Sequence, residues 1–233
     1  MTTVTIPAQP HSATIDLAAT ALMVIDMQKD FLYPQGFGAF LGNDVTLLQR
    51  TIGPIQQVLA AARAQGLLII HTREGHLPDL SDCPSTKLDR WPAGTRIGDP
   101  GPMGRILIRG EEGHGIIDEV APWPNELVLD KPGKSSFYAT GLELILRDHG
   151  IRNLLITGVT TDVCCSATVI GANDRGFNAI VLADCVASYS PERHAATLAT
   201  IQAQGGIFGW VTTSEALLTA LAAGNGRAVQ TAC

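Results

Sequence analysis

The chain has 233 residues, enough for one core with an insertion but cramped for two domains. Hydrophobic residues make up 45% and charged residues 16%, which excludes an unfolded polar chain. A net charge of −6 without any Lys/Arg run argues against a nucleic-acid or anionic-membrane surface, and no apolar run approaches the ~20 residues of a membrane span.

The first residues, 1–12, are polar and lack the charged start and apolar middle of an export signal. Cysteines at 83, 164, 165, 185 and 233 show no CxxC spacing, so neither a disulfide framework nor a zinc ribbon is expected. A cytoplasmic location is the expectation that follows.

Residues 21–25 (ALMVI) read as a buried strand. Helical spacing of Leu47, Leu48, Ile52, Ile55, Val58, Leu59 and Ala62 follows over 44–65, with a break expected near Pro54 and a stop at Gly66. Strands are then predicted at 67–71, 127–129, 153–156, 179–182 and 207–211. Helices are predicted at 140–149, 162–175, 190–204 and from 213 or 214 to 222. Ser190-Pro191 supplies an N-cap followed by proline in the first turn. The segment 75–115 has little periodicity and many Gly and Pro residues, and reads as a lid or inserted loop.

The alternation predicts an α/β fold: three αβα layers, with a parallel six-stranded sheet of Rossmann-like topology and helices on both faces. A single domain over 14–222 is expected, with tails at 1–13 and 223–233. In such sheets, chemistry gathers beyond the carboxyl ends of the strands. Asp26 follows the first strand, Lys131 the third and Cys164 the fourth. An acid, a base and a thiol at one edge can make a nucleophile. The ammonium and the first turn of a helix both favour a thiolate, and the acid can shuttle the proton. Backbone N–H groups of the turn that carries Thr161 and Cys164 are candidates for an oxyanion hole. No GxGxxG or Walker A pattern is present, so no nucleotide cofactor is expected.

Three stretches carry a family resemblance: 21–31 (ALMVIDMQKDF), 130–137 (DKPGKSSF) and 154–177 (LLITGVTTDVCCSATVIGANDRGF). Together they resemble the cysteine hydrolases of the isochorismatase-like superfamily, over almost the whole chain. The resemblance implies a catalytic triad of Asp26, Lys131 and Cys164. It also implies a cis peptide at Val159-Thr160 in the oxyanion turn Val159, Thr160, Thr161 and Cys164. Cys165 stands where the family has an apolar residue, and reads as packing.

The segments 69–84, 97–117 and 202–209 are similar to biuret hydrolases and their triuret-cleaving relatives. That likeness implies an amidohydrolase that cleaves a terminal carbamoyl group of a small ureide. It implies substrate contacts at Gln28, Phe31, Arg73 or Glu74, Lys134 and Gln204, with Arg105 and Arg109 as further candidates. The alternatives are another amidase of the family (ureidoacrylate, carbamoylsarcosine or nicotinamide type) or a non-catalytic binding domain. Nicotinamidases hold zinc through Asp-x-His and a further His. The histidines here, at 11, 71, 76, 114, 149 and 194, offer no such set, so no metal is expected. A small-molecule substrate and a homo-oligomer, dimer or tetramer, complete the expectations from resemblance.

Overall fold

The computed structural model describes residues 3–230. It begins with β1 (Thr3–Ile6) and β2 (Ala13–Asp16), paired antiparallel. The expected tail over 1–13 is therefore ordered from Thr3 on, while residues 1 and 2 lie outside the described residues. The reason is a period-two pattern: Val4, Ile6, Ala13 and Ile15 are buried, whereas Thr3, Thr5 and Thr14 face solvent.

The chain continues through β3 (Thr20–Ile25), then α1 (Lys29–Leu32), α2 (Phe37–Phe40), α3 (Thr46–Gln49) and α4 (Ile52–Ala64). The helical stretch of 44–65 thus breaks between Gln49 and Ile52, ahead of Pro54. Pro54 itself sits in the first turn of α4, where a missing N–H costs nothing. Next come β4 (Leu68–Glu74), α5 (Ser85–Leu88) and a two-residue antiparallel pair, β5 (Pro100–Gly101) with β6 (Gly104–Arg105). Then follow β7 (Leu127–Lys131), α6 (Leu142–Asp148), β8 (Asn153–Val159), α7 (Ser166–Asn173), β9 (Asn178–Ala187), α8 (Pro191–Gly206), β10 (Trp210–Thr212) and α9 (Ser214–Gln230). The last helix takes in 223–230, where a loose tail was expected; 231–233 lie outside the described residues. No helix among the described residues is long and apolar enough to cross a membrane.

Six strands form one all-parallel sheet in the order β10-β9-β8-β3-β4-β7. The fold is the expected three-layer α/β sandwich with Rossmann-like strand order. Side chains alternate across β3. Leu22 and Val24 join α4 and α9 in one core, while Ala21, Met23 and Ile25 join α6, α7 and α8 in the other. The strand order reverses between β3 and β8, so the crevice for a ligand opens at their carboxyl ends.

The segment 75–115 is folded rather than structureless. Phe37, Cys83, Ile97, Ile106, Leu107 and Ile108 form a separate small apolar cluster beneath it. Two arginines staple it. Arg105 donates to the carbonyls of Gly98 and Pro78, and Arg109 to the carbonyl of Gly75 and the Asp82 carboxylate. Both are spent on the insertion, so neither serves the substrate contact considered from sequence.

Gly158 marks the point where β8 passes closest to β3. Its φ is +106°, and a Cβ there would collide with the backbone of Ile25. Gly158→Ala is expected to cost about 3 kcal/mol or more, because left-handed backbone and overpacking add. Denaturant titration checks this.

Candidate active site

Asp26 lies directly beyond β3 with φ +50°, a region uncommon for a residue with a side chain. Its N–H donates to the Thr72 carbonyl, and the Thr72 hydroxyl donates to Oδ1 at 2.7 Å. Its Oδ2 is 2.7 Å from Nζ of Lys131, the last residue of β7, and both side chains are 0% exposed. That contact is ionic. Oδ2 accepts no well-aligned hydrogen bond, so an acceptor position on it stays open.

Lys131 Nζ also donates to the Gly133 carbonyl at 2.9 Å and lies 3.5 Å from Cys164 Sγ. Cys164 stands in a π-helical turn, Thr161–Cys165, entered through a cis peptide at Val159-Thr160 and leading into α7. The acid, ammonium and thiol that the sequence placed at three strand ends are thus one contiguous cluster. Two N–H groups of the turn, those of Val163 and Cys165, already donate to the Thr160 carbonyl.

A fourth charged group joins them. Glu74 ends β4, cross-strand from Lys131, and is 1% exposed. The Cys164 thiol donates to Glu74 Oε2 at 3.5 Å. Glu74 Oε1 receives Lys134 at 2.6 Å and lies 3.4 Å from Lys87. Lys87 comes from α5 of the insertion. It also donates to the Pro132 carbonyl at 2.6 Å and to His76 Nε2 at 2.9 Å.

These contacts set the charges. Burial opposes ionisation of Glu74, but Lys134, Lys131 and Lys87 outweigh it and hold the carboxyl down to about 2. Burial also works against the Lys131 ammonium. Asp26, Cys164 and Glu74 prevail, so it stays cationic well past neutral pH. The thiol of Cys164 goes the other way from the sequence expectation. Burial pushes it well up, the Asp26 charge adds to this, and Lys131 only partly counters. Burial first, and the Asp26 charge second, thus favour the neutral thiol over the thiolate.

Asp26, Glu74 and Cys164 each offer an atom within 4.8 Å of the other two. As a metal site this set fits badly. Lys131 neutralises Asp26, and Lys134 with Lys87 neutralises Glu74, so ammonium groups already supply the positive charge a cation would bring. His71 and His76 lie elsewhere in the network, bonded to Glu126 and Asp82.

Beside the thiol is a cavity of about 200 Å³, walled by Phe31, Glu74, Lys134, Thr160, Asp162, Tyr189 and Arg193 among others. A larger hollow of about 510 Å³ opens beside Thr20, Leu68 and Ile151, at the amino ends of the strands, and contains none of the three candidate catalytic groups.

Of the expected substrate contacts, Phe31, Glu74 and Lys134 reach the cavity, and three do not. Gln28 is fully buried. Its amide donates to the Glu74 and His114 carbonyls and accepts from the Glu74 N–H at 2.6 Å, so it clamps backbone. Arg73 points to the opposite face of β4 from Glu74 and makes a two-pronged pair with Asp130. Gln204 is exposed and does not line the cavity; it sits with φ +52° in a break of α8 at residues 203–205, after a helical stretch of roughly 17 Å from Pro191.

The loop after β9 supplies what sequence reasoning missed. Ser188 and Tyr189 line the cavity, and Tyr189 Oη donates to the Phe31 carbonyl at 2.8 Å. The start of α8 braces the turn that carries Cys164: Arg193 pairs with Asp162 at 3.0 Å, and His194 Nδ1 is 2.9 Å from Thr161 Oγ1. The signal was available. These residues follow a strand end, but β9 runs to Ala187, five residues beyond the expected end at 182.

Acid should loosen this assembly in two stages. Burial, with Arg73 and Arg109 nearby, pushes His114 from 6.5 down to about 4 against the pull of Asp130. Both His114 and Glu74 have folded values below their unfolded ones. Each therefore contributes stability that is full above the unfolded value and lost as pH falls through the folded one. The windows run from 6.5 to about 4 for His114 and from 4.5 to about 2 for Glu74. Each adds at most ~1.4 kcal/mol per pH unit inside its window. Urea titrations across pH should show the decline, and His114→Gln should flatten its upper stage.

The comparisons agree with the geometry. The isochorismatase domain family matches residues 20–216. Ureidoacrylate amidohydrolase RutB of Methylorubrum extorquens is 32% identical over 231 residues, covering 97% of this chain and 92% of that protein. The crystal structure of a cysteine hydrolase from Pseudomonas syringae pv. phaseolicola aligns with a TM-score of 0.77 at 28% identity, over 90% of this chain and 95% of that one. The N-carbamoylsarcosine amidase of Thermoplasma acidophilum aligns with a TM-score of 0.64 at 25% identity, over 84% and 96%. With the fold, the strand-end cluster and these matches in agreement, the chain belongs to the isochorismatase domain family.

Proposed function

We propose that this protein is a cysteine amidohydrolase that removes ammonia from the terminal carbamoyl group of a small ureide. The observation that carries the reading is Lys131 Nζ lying 2.7 Å from Asp26 Oδ2 and 3.5 Å from Cys164 Sγ, all three groups buried. As substrate enters, Asp26 takes the thiol proton and the sulfur attacks the carbonyl carbon. Lys131, freed of part of its pairing, then stabilises the thiolate. The oxyanion forms on N–H groups of the turn from Thr160 to Cys164, other than that of Val163. Asp26 returns the proton to the leaving nitrogen, the C–N bond breaks and ammonia departs. Asp26 next takes a proton from water, whose oxygen attacks the thioester; the C–S bond breaks and the proton returns to sulfur. These steps need no cofactor.

Biuret and triuret are the substrates the sequence points to, and ureidoacrylate is the second reading, favoured by the 32% identical relative. The charge of the cavity supports the neutral ureides. Its cations are already paired, Lys134 with Glu74 and Arg193 with Asp162, which leaves none free for a substrate carboxylate.

The test is ammonia release from biuret, triuret, ureidoacrylate and nicotinamide. Release from biuret or triuret is the expected result. Faster release from ureidoacrylate would keep the reaction and replace the substrate. Release from nicotinamide alone, or from nothing, would overturn the ureide reading.

A further inference from the structure

Resting on the amidohydrolase reading above, we propose that Glu74 is the second arm of a two-carboxylate clamp that selects a ureide, N–C(=O)–N, over a simple carboxamide. Two buried carboxylates flank one sulfur: an oxygen of Asp26, an oxygen of Glu74 and Cys164 Sγ all lie within 4.8 Å of one another. Asp26 has a task in the chemistry, and Glu74 has none in the steps above. Its Oε1 is held by Lys134 and Lys87, whereas the thiol is the donor to Oε2. When the thiol proton moves to Asp26, Oε2 loses that donor in a site that is 1% exposed. The three surrounding lysines keep the carboxyl ionised, so it cannot escape by taking a proton. A buried carboxylate oxygen without a donor is costly. The group that fills the cavity must therefore present one.

The substrate's geometry supplies it. For attack, the carbonyl carbon approaches sulfur to about 3–3.5 Å. Its two other substituents diverge by one bond length each, about 1.33 Å for an amide nitrogen. One then faces each carboxylate. The leaving nitrogen faces Asp26, which must protonate it. The retained substituent faces Glu74. In a ureide that substituent is N–H and donates to Oε2. In a carboxamide it is carbon and leaves Oε2 unpaired. Sites that hydrogen-bond a substrate N–H reject analogues lacking it.

The test compares a ureide with an isostere in which CH2 replaces the retained N–H: biuret against malonamide, or ureidoacrylate against glutaconamate if that is the faster substrate. Ammonia release gives kcat/KM for the wild type, Glu74→Gln and Glu74→Asp. The ureide preference should fall about 10- to 100-fold in Glu74→Gln, the range of a hydrogen bond to a charged group. Glu74→Asp should retain part of it. Iodoacetamide, an amide without a second nitrogen, should alkylate Cys164 in Glu74→Gln no more slowly than in the wild type, whereas a collapsed site would slow both. If the Gln variant does not fold, the Asp variant carries the same comparison. An active enzyme whose preference is unchanged in these variants overturns the clamp alone. A wild type that releases ammonia from no ureide overturns the amidohydrolase reading and the clamp together.

Discussion

Cys164→Ser should abolish ammonia release, by about 10⁴-fold or more, while the protein melts within a few degrees of the wild type. A hydroxyl is a far weaker nucleophile than sulfur, yet it can still donate to Glu74 Oε2 as the thiol does, so the fold loses little. Cys165→Ser makes the matching control. Its sulfur is equally buried but, among the described residues, makes no hydrogen bond, and its neighbours are those of an apolar core. That variant should lose stability on the order of 1–3 kcal/mol for a buried hydroxyl, and keep most of its turnover. Ammonia assays and thermal melts on the two variants separate the roles. Intact-mass measurement during turnover should find one adduct, on Cys164. Equal loss of turnover in two folded variants would move the nucleophile.

Lys131→Met should damage the protein twice. The side chain is fully buried, and its removal leaves the Asp26 carboxylate buried beside a methylene chain. Orphaning one member of a buried ion pair costs about 3–5 kcal/mol. Activity should fall as well, because nothing remains to balance a thiolate. The decisive comparison is the double variant Asp26→Leu with Lys131→Met. Removing both charges together should restore most of the stability, since a packed apolar pair can replace a buried ion pair at little net cost. It should restore none of the turnover. Denaturant midpoints and ammonia assays on the single and double variants give both readings. If the double variant were no more stable than the single one, the Asp26–Lys131 contact would be packing rather than charge pairing.

The fold was legible because buried parallel strands are apolar throughout and are punctuated by Gly, as at Gly66, Gly150 and Gly176. The cluster was legible because Asp26 and Lys131 sit at the carboxyl ends of such runs and Cys164 in the turn that follows one. Other features follow rules that act across the sheet. Strand alternation separates Glu74 from Arg73, and it can be read once the β4 register is known. Gln204 was expected at the site from the resemblance alone, and the break in α8 leaves it exposed outside the cavity. The first strand pair escaped notice because its two alternating runs are only four residues each and are separated by a connection holding Pro7 and Pro10. Lys87 had no sequence signal at all, since its partners Glu74, His76 and Pro132 meet it only after the insertion folds.

That last contact has an evolutionary consequence. The segment 75–115 reaches the Glu74 carboxylate through the Lys87 ammonium, which lies behind it and outside the cavity wall. Drift in this surface cassette can retune the charge of the carboxylate without altering any residue that a substrate meets. Relatives with the same strand-end residues and different inserts would then diverge in selectivity, and a chimera that exchanges only this cassette would inherit the donor's preference.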